Sequence, residues 1–208
     1  MKKFFDTISN IWKIEELRNR ILITLGLLLV YRFGCQIVLP GIDSSQLGQL
    51  DSGTESGILG LLNAFTGGAF ANASIFALGI MPYISASIVV QLMSIAIPYL
   101  QKLDKEGESG RKTKNQITRW LTIGICVVQA PTYLYSLGAA FQVPDSAFLM
   151  GKGLEFMIPS VIILVTGCVV AMWLGEKITD KGIGNGISLL IMIGIIATML
   201  ESFVEEFI

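Results

Sequence analysis

Histidine is absent from the 208-residue sequence, and cysteine occurs only three times. Cys35, Cys126 and Cys168 fall in three separate apolar runs, and no two of them have the close spacing of paired metal ligands. The sequence therefore indicates neither a disulfide framework nor a metal site, and we expect no cofactor.

Charged residues are also scarce, at 15% of the sequence, and no acidic residue lies in the middle of a long apolar run. Intramembrane proton relays and aspartyl proteases both need such acidic residues, so we expect this protein not to be an enzyme. The run GIGNG, residues 182–186, has the glycine content of a phosphate-binding loop. No strand is predicted before it and an apolar run follows, which favours a simple turn instead.

Long apolar runs dominate what is present, since 52% of the residues are hydrophobic. A helix needs about 20 mostly apolar residues to cross a bilayer core of about 30 Å. The sequence predicts a polytopic membrane protein, and the predicted spans are residues 21–39, 75–100, 120–141, 156–174 and 182–200.

The positive charges predict the orientation of these spans. Thirteen of the fifteen Lys and Arg residues fall on one side, whereas the acidic residues divide evenly. By the positive-inside rule, the N-terminus is cytoplasmic and the C-terminus of this chain is external. The predicted cytoplasmic segments are 1–20, 101–119 and 175–185, and the predicted external ones are 40–57, 142–155 and 201–208.

Residues 58–73 form a short apolar stretch between the first two spans, closed by Gly67 and Gly68. The stretch is too short to cross a bilayer, and its glycines permit a sharp reversal of the chain. It could lie on the outer interface as an amphipathic helix, or fold back between the spans. The residues alone leave both alternatives open.

Arg32 lies within the first predicted span, past its midpoint. Its side chain could snorkel to the outer headgroups, which is the more ordinary outcome. Alternatively, it could face a wet interior or a partner inside the protein.

The second predicted span contains groups that lipid disfavours. Pro82 removes a helical hydrogen-bond donor, and Ser85, Ser87 and Gln91 add polar side chains. We therefore expect one face of this span to contact protein or water.

Two long motifs and two short ones are similar to segments of the SecY family, the central subunits of the bacterial protein-conducting channel. The motifs are SIFALGIMPYISASIVVQLM (74–93), WLGEKITDKGIGNGISLLI (173–191), KEGESGR (105–111) and LPGID (39–43). The resemblance implies an all-α membrane protein with five spans and a short re-entrant plug helix. Such a chain is one half of a ten-helix inverted-repeat channel, and its end at 201–208 leads towards the hinge between the halves.

The resemblance also implies functional positions in this chain. Residues 58–73, here named the plug segment, would block the resting pore. Its predicted pore-blocking residues are Ile58, Leu59, Leu61, Leu62, Phe65, Gly67, Gly68 and Phe70. An aliphatic pore ring would include Ile80, Ile84, Ile187 and Ile191. Weaker candidates for a lateral gate are Ser85, Ser87 and Gln129. Weaker candidates for docking on the cytoplasmic side are Lys105, Arg111 and Lys112.

A SecY-like protein would translocate unfolded secretory proteins and insert membrane proteins at the bacterial plasma membrane. The resemblance implies as partners the second channel half, SecE, SecG, the SecA motor or ribosome, signal-bearing substrate chains and lipid. The alternatives are a solute transporter built on broken-helix inverted repeats, and a structural scaffold. A transporter should bring charged or strongly polar groups to the midplane, where this sequence offers mainly Ile, Ser and Gln.

Overall fold

A computed structural model describes residues 14–42, 58–139 and 153–207 of the chain. Most of the predicted segments 1–20, 40–57 and 142–155, and residue 208, lie outside these ranges. The described helices are α1 (Glu15–Gln36), α2 (Ile58–Thr66), α3 (Met81–Ala96), α4 (Pro98–Lys105), α5 (Glu108–Ala139), α6 (Leu154–Lys181) and α7 (Gly186–Phe207). The described ranges contain an isolated bridge between Val38 and Ser74 but no strand, which confirms the all-α class.

Two of the described helices are long and apolar enough to cross a bilayer, namely α6 and the part of α5 that spans Glu108–Leu137. The bent pair α3 and α4 makes a third if it is one span. The described apolar part of α7, Gly186–Leu200, is shorter, and α1 carries arginines that lower its hydropathy. The count of five spans therefore stays a prediction.

The break between α3 and α4 follows from a proline. Ile97 is extended, because the ring of Pro98 disfavours helical geometry in the residue before it. The two helices meet at 99°. Lys114 of α5 connects the two helices at this bend. Its Nζ donates to Ser94 Oγ of α3 at 3.1 Å and to Asp104 Oδ1 of α4 at 2.9 Å.

The GIGNG run forms the turn that enters α7. The backbone N–H of Ile183 donates to Thr24 Oγ1 of α1 at 3.1 Å, which ties the turn to the first helix. Asn185 then caps α7, because its Oδ1 accepts from the N–H groups of Ile187 and Ser188. The glycines therefore serve a tight helix–helix connection.

Among the described residues, two hydrophobic clusters form the interior, and α6 contributes to both. The first core cluster consists of Leu39, Ile42, Ala73, Ala77, Leu78, Ala130, Tyr133, Leu134, Leu137, Phe156 and Leu164. The second core cluster consists of Leu28, Tyr31, Cys35, Ala69, Phe76, Ile80, Ala171, Leu174, Ile178 and Leu190. Both include residues of the irregular stretch 67–80, so this non-helical backbone passes through the middle of the helix bundle.

Candidate pore and plug site

The plug segment begins with α2, a helix of nine residues. At about 1.5 Å per residue it is about 14 Å long, less than half the thickness of a bilayer core. Gly67 and Gly68 follow with φ values of +65° and +84°, a left-handed geometry that glycine adopts without strain. The chain reverses there, and Thr66, Gly67, Gly68 and Ala69 are all buried.

Side chains satisfy much of the irregular backbone that follows α2. Asn63 Oδ1 accepts from the N–H of Ala71 at 3.0 Å, and Thr66 Oγ1 accepts from the N–H of Phe70 at 3.2 Å. Tyr133 of α5 donates its hydroxyl to the carbonyl of Phe70 at 2.8 Å. Non-helical backbone at membrane depth is tolerated where protein groups replace water in this way.

Glycines on three long helices let residues 65–76 approach their backbones. A Cβ built at Gly34 of α1 would lie 2.1 Å from the Phe76 ring, and one at Gly167 of α6 would lie 2.2 Å from the carbonyl oxygen of Ile75. One built at Gly194 of α7 would lie 3.1 Å from the carbonyl oxygen of Phe65. Sequence reasoning missed these glycines, although small residues in apolar helices are a known signal of close packing.

Arg32 faces the interior of the bundle. Its Nη1 donates a hydrogen bond to the carbonyl oxygen of Gly67, and the residue is only half-exposed. Of the two alternatives that the sequence left open, the structure favours the arginine that faces a partner inside the protein.

The four isoleucines of the predicted pore ring differ in how they pack. Ile80 is buried in the second core cluster, and Ile84 and Ile187 pack against that cluster. Ile191 is half-buried but is not part of the same cluster. The structure thus brings together three of the four isoleucines, from the start of α3 and the start of α7.

The predicted plug residues differ in their surroundings. The side chains of Ile58 and Leu59 lie outside the described part of the structure. Leu61 is 59% exposed, and Leu62 and Phe65 are half-buried. Beyond the buried glycine pair, the ring of Phe70 packs against Tyr133 with 4.9 Å between the ring centroids.

The candidate gate positions are exposed or half-buried within the described part of the structure. Ser85 of α3 and Gln129 of α5 are exposed, and Ser87 is half-buried. Ser87 Oγ accepts a long hydrogen bond of 3.4 Å from Gln91 Nε2, one turn further along α3. The same helix also exposes large apolar side chains, which are Ile88, Val89, Leu92, Met93 and Ile95.

The candidate docking residues Lys105, Arg111 and Lys112 are all exposed. Sequence reasoning missed an ion pair between α5 and α6. Arg119 of α5 makes a two-pronged ion pair with Glu176 of α6, with Nε to Oε1 at 2.9 Å and Nη2 to Oε2 at 2.5 Å. No local pattern marks this pair, because 57 residues separate its partners in the chain.

Comparison with known proteins identifies the family. The SecY family model matches residues 74–208, which is more than half of the chain. The chain is 45% identical over 193 residues to Protein translocase subunit SecY of Rickettsia bellii (strain RML369-C), covering 93% of this chain and 44% of that protein. It is also 45% identical over 188 residues to the proteins of the same name from Buchnera aphidicola subsp. Acyrthosiphon kondoi and Escherichia coli (strain K12).

Those two matches each cover 88% of this chain, and they cover 51% of the Buchnera protein and 41% of the Escherichia coli protein. The chain therefore spans about half the length of the curated relatives it matches. The family match covers Ile80, Ile84, Ile187 and Ile191 as well as the motif KEGESGR. On this evidence, the chain belongs to the SecY family.

Proposed function

We propose that this chain forms one half of a protein-conducting channel, with five spans and the plug segment folded back between them. Unfolded secretory chains would pass through the assembled pore, and sufficiently apolar segments would leave sideways into lipid. The family match supports this proposal, and nothing in it supports the solute-transporter alternative.

A single observation carries the proposal most directly, namely the course of the plug segment through the bundle. Its residues 66–69 are buried, and its backbone is hydrogen-bonded to Tyr133 and Arg32. Ile80 and Ile84 follow the segment by seven and eleven residues in the chain. A short apolar segment held beside a cluster of isoleucines suits a hydrophobic constriction that excludes ions by dewetting. We propose that Ile80, Ile84, Ile187 and Ile191 are this half's share of the pore ring.

The exposed face of α3 is the proposed lateral gate. Transfer of a residue to the centre of a membrane helix has a free energy of about −0.5 kcal/mol for Leu and about +3 kcal/mol for Arg. A gate lined by α3 on one side could sort passing segments on that difference. Ser85, Ser87 and Gln129 are its proposed polar positions.

The proposed assembly contains a complementary second half, SecE and SecG, in the bacterial plasma membrane. We propose that the end of the bundle with Lys105, Arg111 and Lys112 is cytoplasmic, where the SecA motor or a ribosome would dock. A positive surface suits a ribosome, because contacts to RNA phosphates are not sequence-specific.

The test is reconstitution of the purified chain with and without a complementary SecY half, followed by translocation of a secretory precursor with its motor. We expect transport only when both halves are present. Efficient transport by this chain alone would contradict the half-channel proposal and require a pore made by self-association.

A matched pair of variants tests the pore ring. Ile84→Asn should wet the constriction, so that a precursor with a defective signal is translocated better than by the parent channel. Val128→Asn places the same polar group on α5, at a side chain that is 72% exposed and outside the ring. Equal behaviour of the two variants would show that Ile84 does not line the pore.

A further inference from the structure

Arg32 of α1 is a charged side chain that binds the backbone of the plug segment. Its Nη1 donates to the carbonyl oxygen of Gly67. Inside a membrane span, an arginine is costly unless it finds a partner or water, so its direction is informative. An arginine that lipid disfavours thus lies on α1 and is directed at the plug segment.

The partner of Arg32 lies at the C-terminal end of α2. The last carbonyls of a helix have no partner within it, and they carry the negative end of the helix dipole. Here the helix ends at Thr66, and the left-handed glycines turn the chain away, with the N–H of Gly68 donating to Asn63 at 3.0 Å. The Gly67 carbonyl lies one residue past this end, so a guanidinium bound to it is favoured by the helix dipole as a charge and also satisfies that carbonyl as a donor.

A second residue on the same side of α1 contacts the end of α2. Cys35, three residues after Arg32, has its Sγ 3.9 Å from the carbonyl oxygen of Thr66. Gly67 is also enclosed, because a Cβ there would lie 2.8 Å from Arg32 Nη1 and 2.8 Å from the Cα of Gly194. The end of α2 is thus held between α1 and α7 with room only for a glycine.

We propose that Arg32 is a positioning residue that holds the plug segment in its docked place, as an electrostatic latch on the C-terminal end of α2. The inference rests on the proposed function, since only a channel has a resting state for the latch to maintain. When the plug segment leaves, Arg32 loses the Gly67 carbonyl. This contact therefore raises the fraction of channels that are closed at rest.

Accessibility of the plug segment measures the latch directly. In the assembled channel, with the native cysteines replaced by alanine, Ala69→Cys introduces a probe at a side chain that is 0% exposed. The rate of modification by a membrane-impermeant maleimide then reports undocking. Because hydrogen bonds to charged groups are among the stronger ones, Arg32→Met should raise that rate on the order of tenfold to a hundredfold.

Arg20→Met is the matched control, since Arg20 lies on the same helix and pairs with Glu16 at 3.1 Å at an exposed position. It should leave the labelling rate unchanged. Arg32→Lys keeps the charge but not the planar fork, and should give a smaller increase than Arg32→Met. If Arg32→Met does not assemble, an Arg32→Lys labelling rate equal to that of the parent overturns the latch.

Deletion of residues 58–70 separates the latch from a general structural role. Arg32→Met should raise resting ion conductance in the intact channel, and add nothing once the plug segment is deleted. An equal increase in both backgrounds overturns the latch, as does a labelling rate equal to that of Arg20→Met. Failure of the parent assembly to translocate a precursor contradicts the proposed function instead, and the labelling comparison still decides whether Arg32 holds the segment.

Discussion

Gly167→Ala tests whether the backbone after the plug segment packs directly against α6. A Cβ at this position would lie 2.2 Å from the carbonyl oxygen and 3.0 Å from the carbonyl carbon of Ile75. That backbone cannot move aside easily, because the N–H of Ile75 donates to the carbonyl of Ile37 at 2.9 Å. We therefore expect the substitution to force either α6 or residues 74–77 out of place.

The expected loss of stability follows from comparison with a glycine where an added Cβ would have free space. Ala is favoured over Gly within a helix by about 1 kcal/mol, and this gain applies equally at Gly167 and at Gly124 of α5. A Cβ at Gly124 would meet nothing within 4 Å. The stability difference between the two variants is therefore the overpacking cost alone, about 1–3 kcal/mol.

The native thiols provide the assay. Cys35, Cys126 and Cys168 are all free and buried, so a thiol-reactive dye reports thermal unfolding of the purified chain in detergent. For a chain of this size, each kcal/mol shifts the Tm by roughly 2–4 °C. Gly167→Ala should melt below Gly124→Ala by the corresponding amount. If Gly167→Ala melts at or above Gly124→Ala, the Ile75 backbone does not lie against α6.

The same dye assay checks two further contacts. The Arg119–Glu176 pair should contribute about 0.2–1 kcal/mol to the free energy of unfolding, because the Arg119 side chain is 49% exposed. A double-mutant cycle of Arg119→Ala and Glu176→Gln measures this coupling, and a coupling of zero would contradict the pair. Asn185→Ala removes the cap of α7 and should cost about 1 kcal/mol, whereas Asn185→Asp should keep most of the stability. Equal melting of both Asn185 variants with the parent would exclude a capping role.

The all-α class and the family could be predicted from the sequence because both depend on contiguous residues. Long apolar runs indicate membrane helices by their length alone, and the motifs at 74–93 and 173–191 are local strings. The turn at 182–186 was predictable for the same reason, since glycine and asparagine specify a turn and a helix cap by their own geometry.

The contacts of the site were not predictable, because they join residues that are distant in the chain. Arg32 and Gly67 are 35 residues apart, and Tyr133 and Phe70 are 63 apart. Periodicity indicates which face of a helix is apolar, but not which backbone lies against it. The bend at Ile97 has a local cause in Pro98, yet an apolar run counted for length alone does not reveal it.

The described surface suggests what else the bundle contacts. Lipid alone would account for the exposed apolar residues of α1 and α5, but it would leave Ser85 and Gln91 of α3 in hydrocarbon, each at a cost of several kcal/mol if unsatisfied. The long bond between Ser87 and Gln91 satisfies only part of this requirement. A face that mixes polar and large apolar side chains is better matched by a protein partner with a water-filled seam. That mismatch with lipid is the physical reason for which we propose that a second channel half lies against α3.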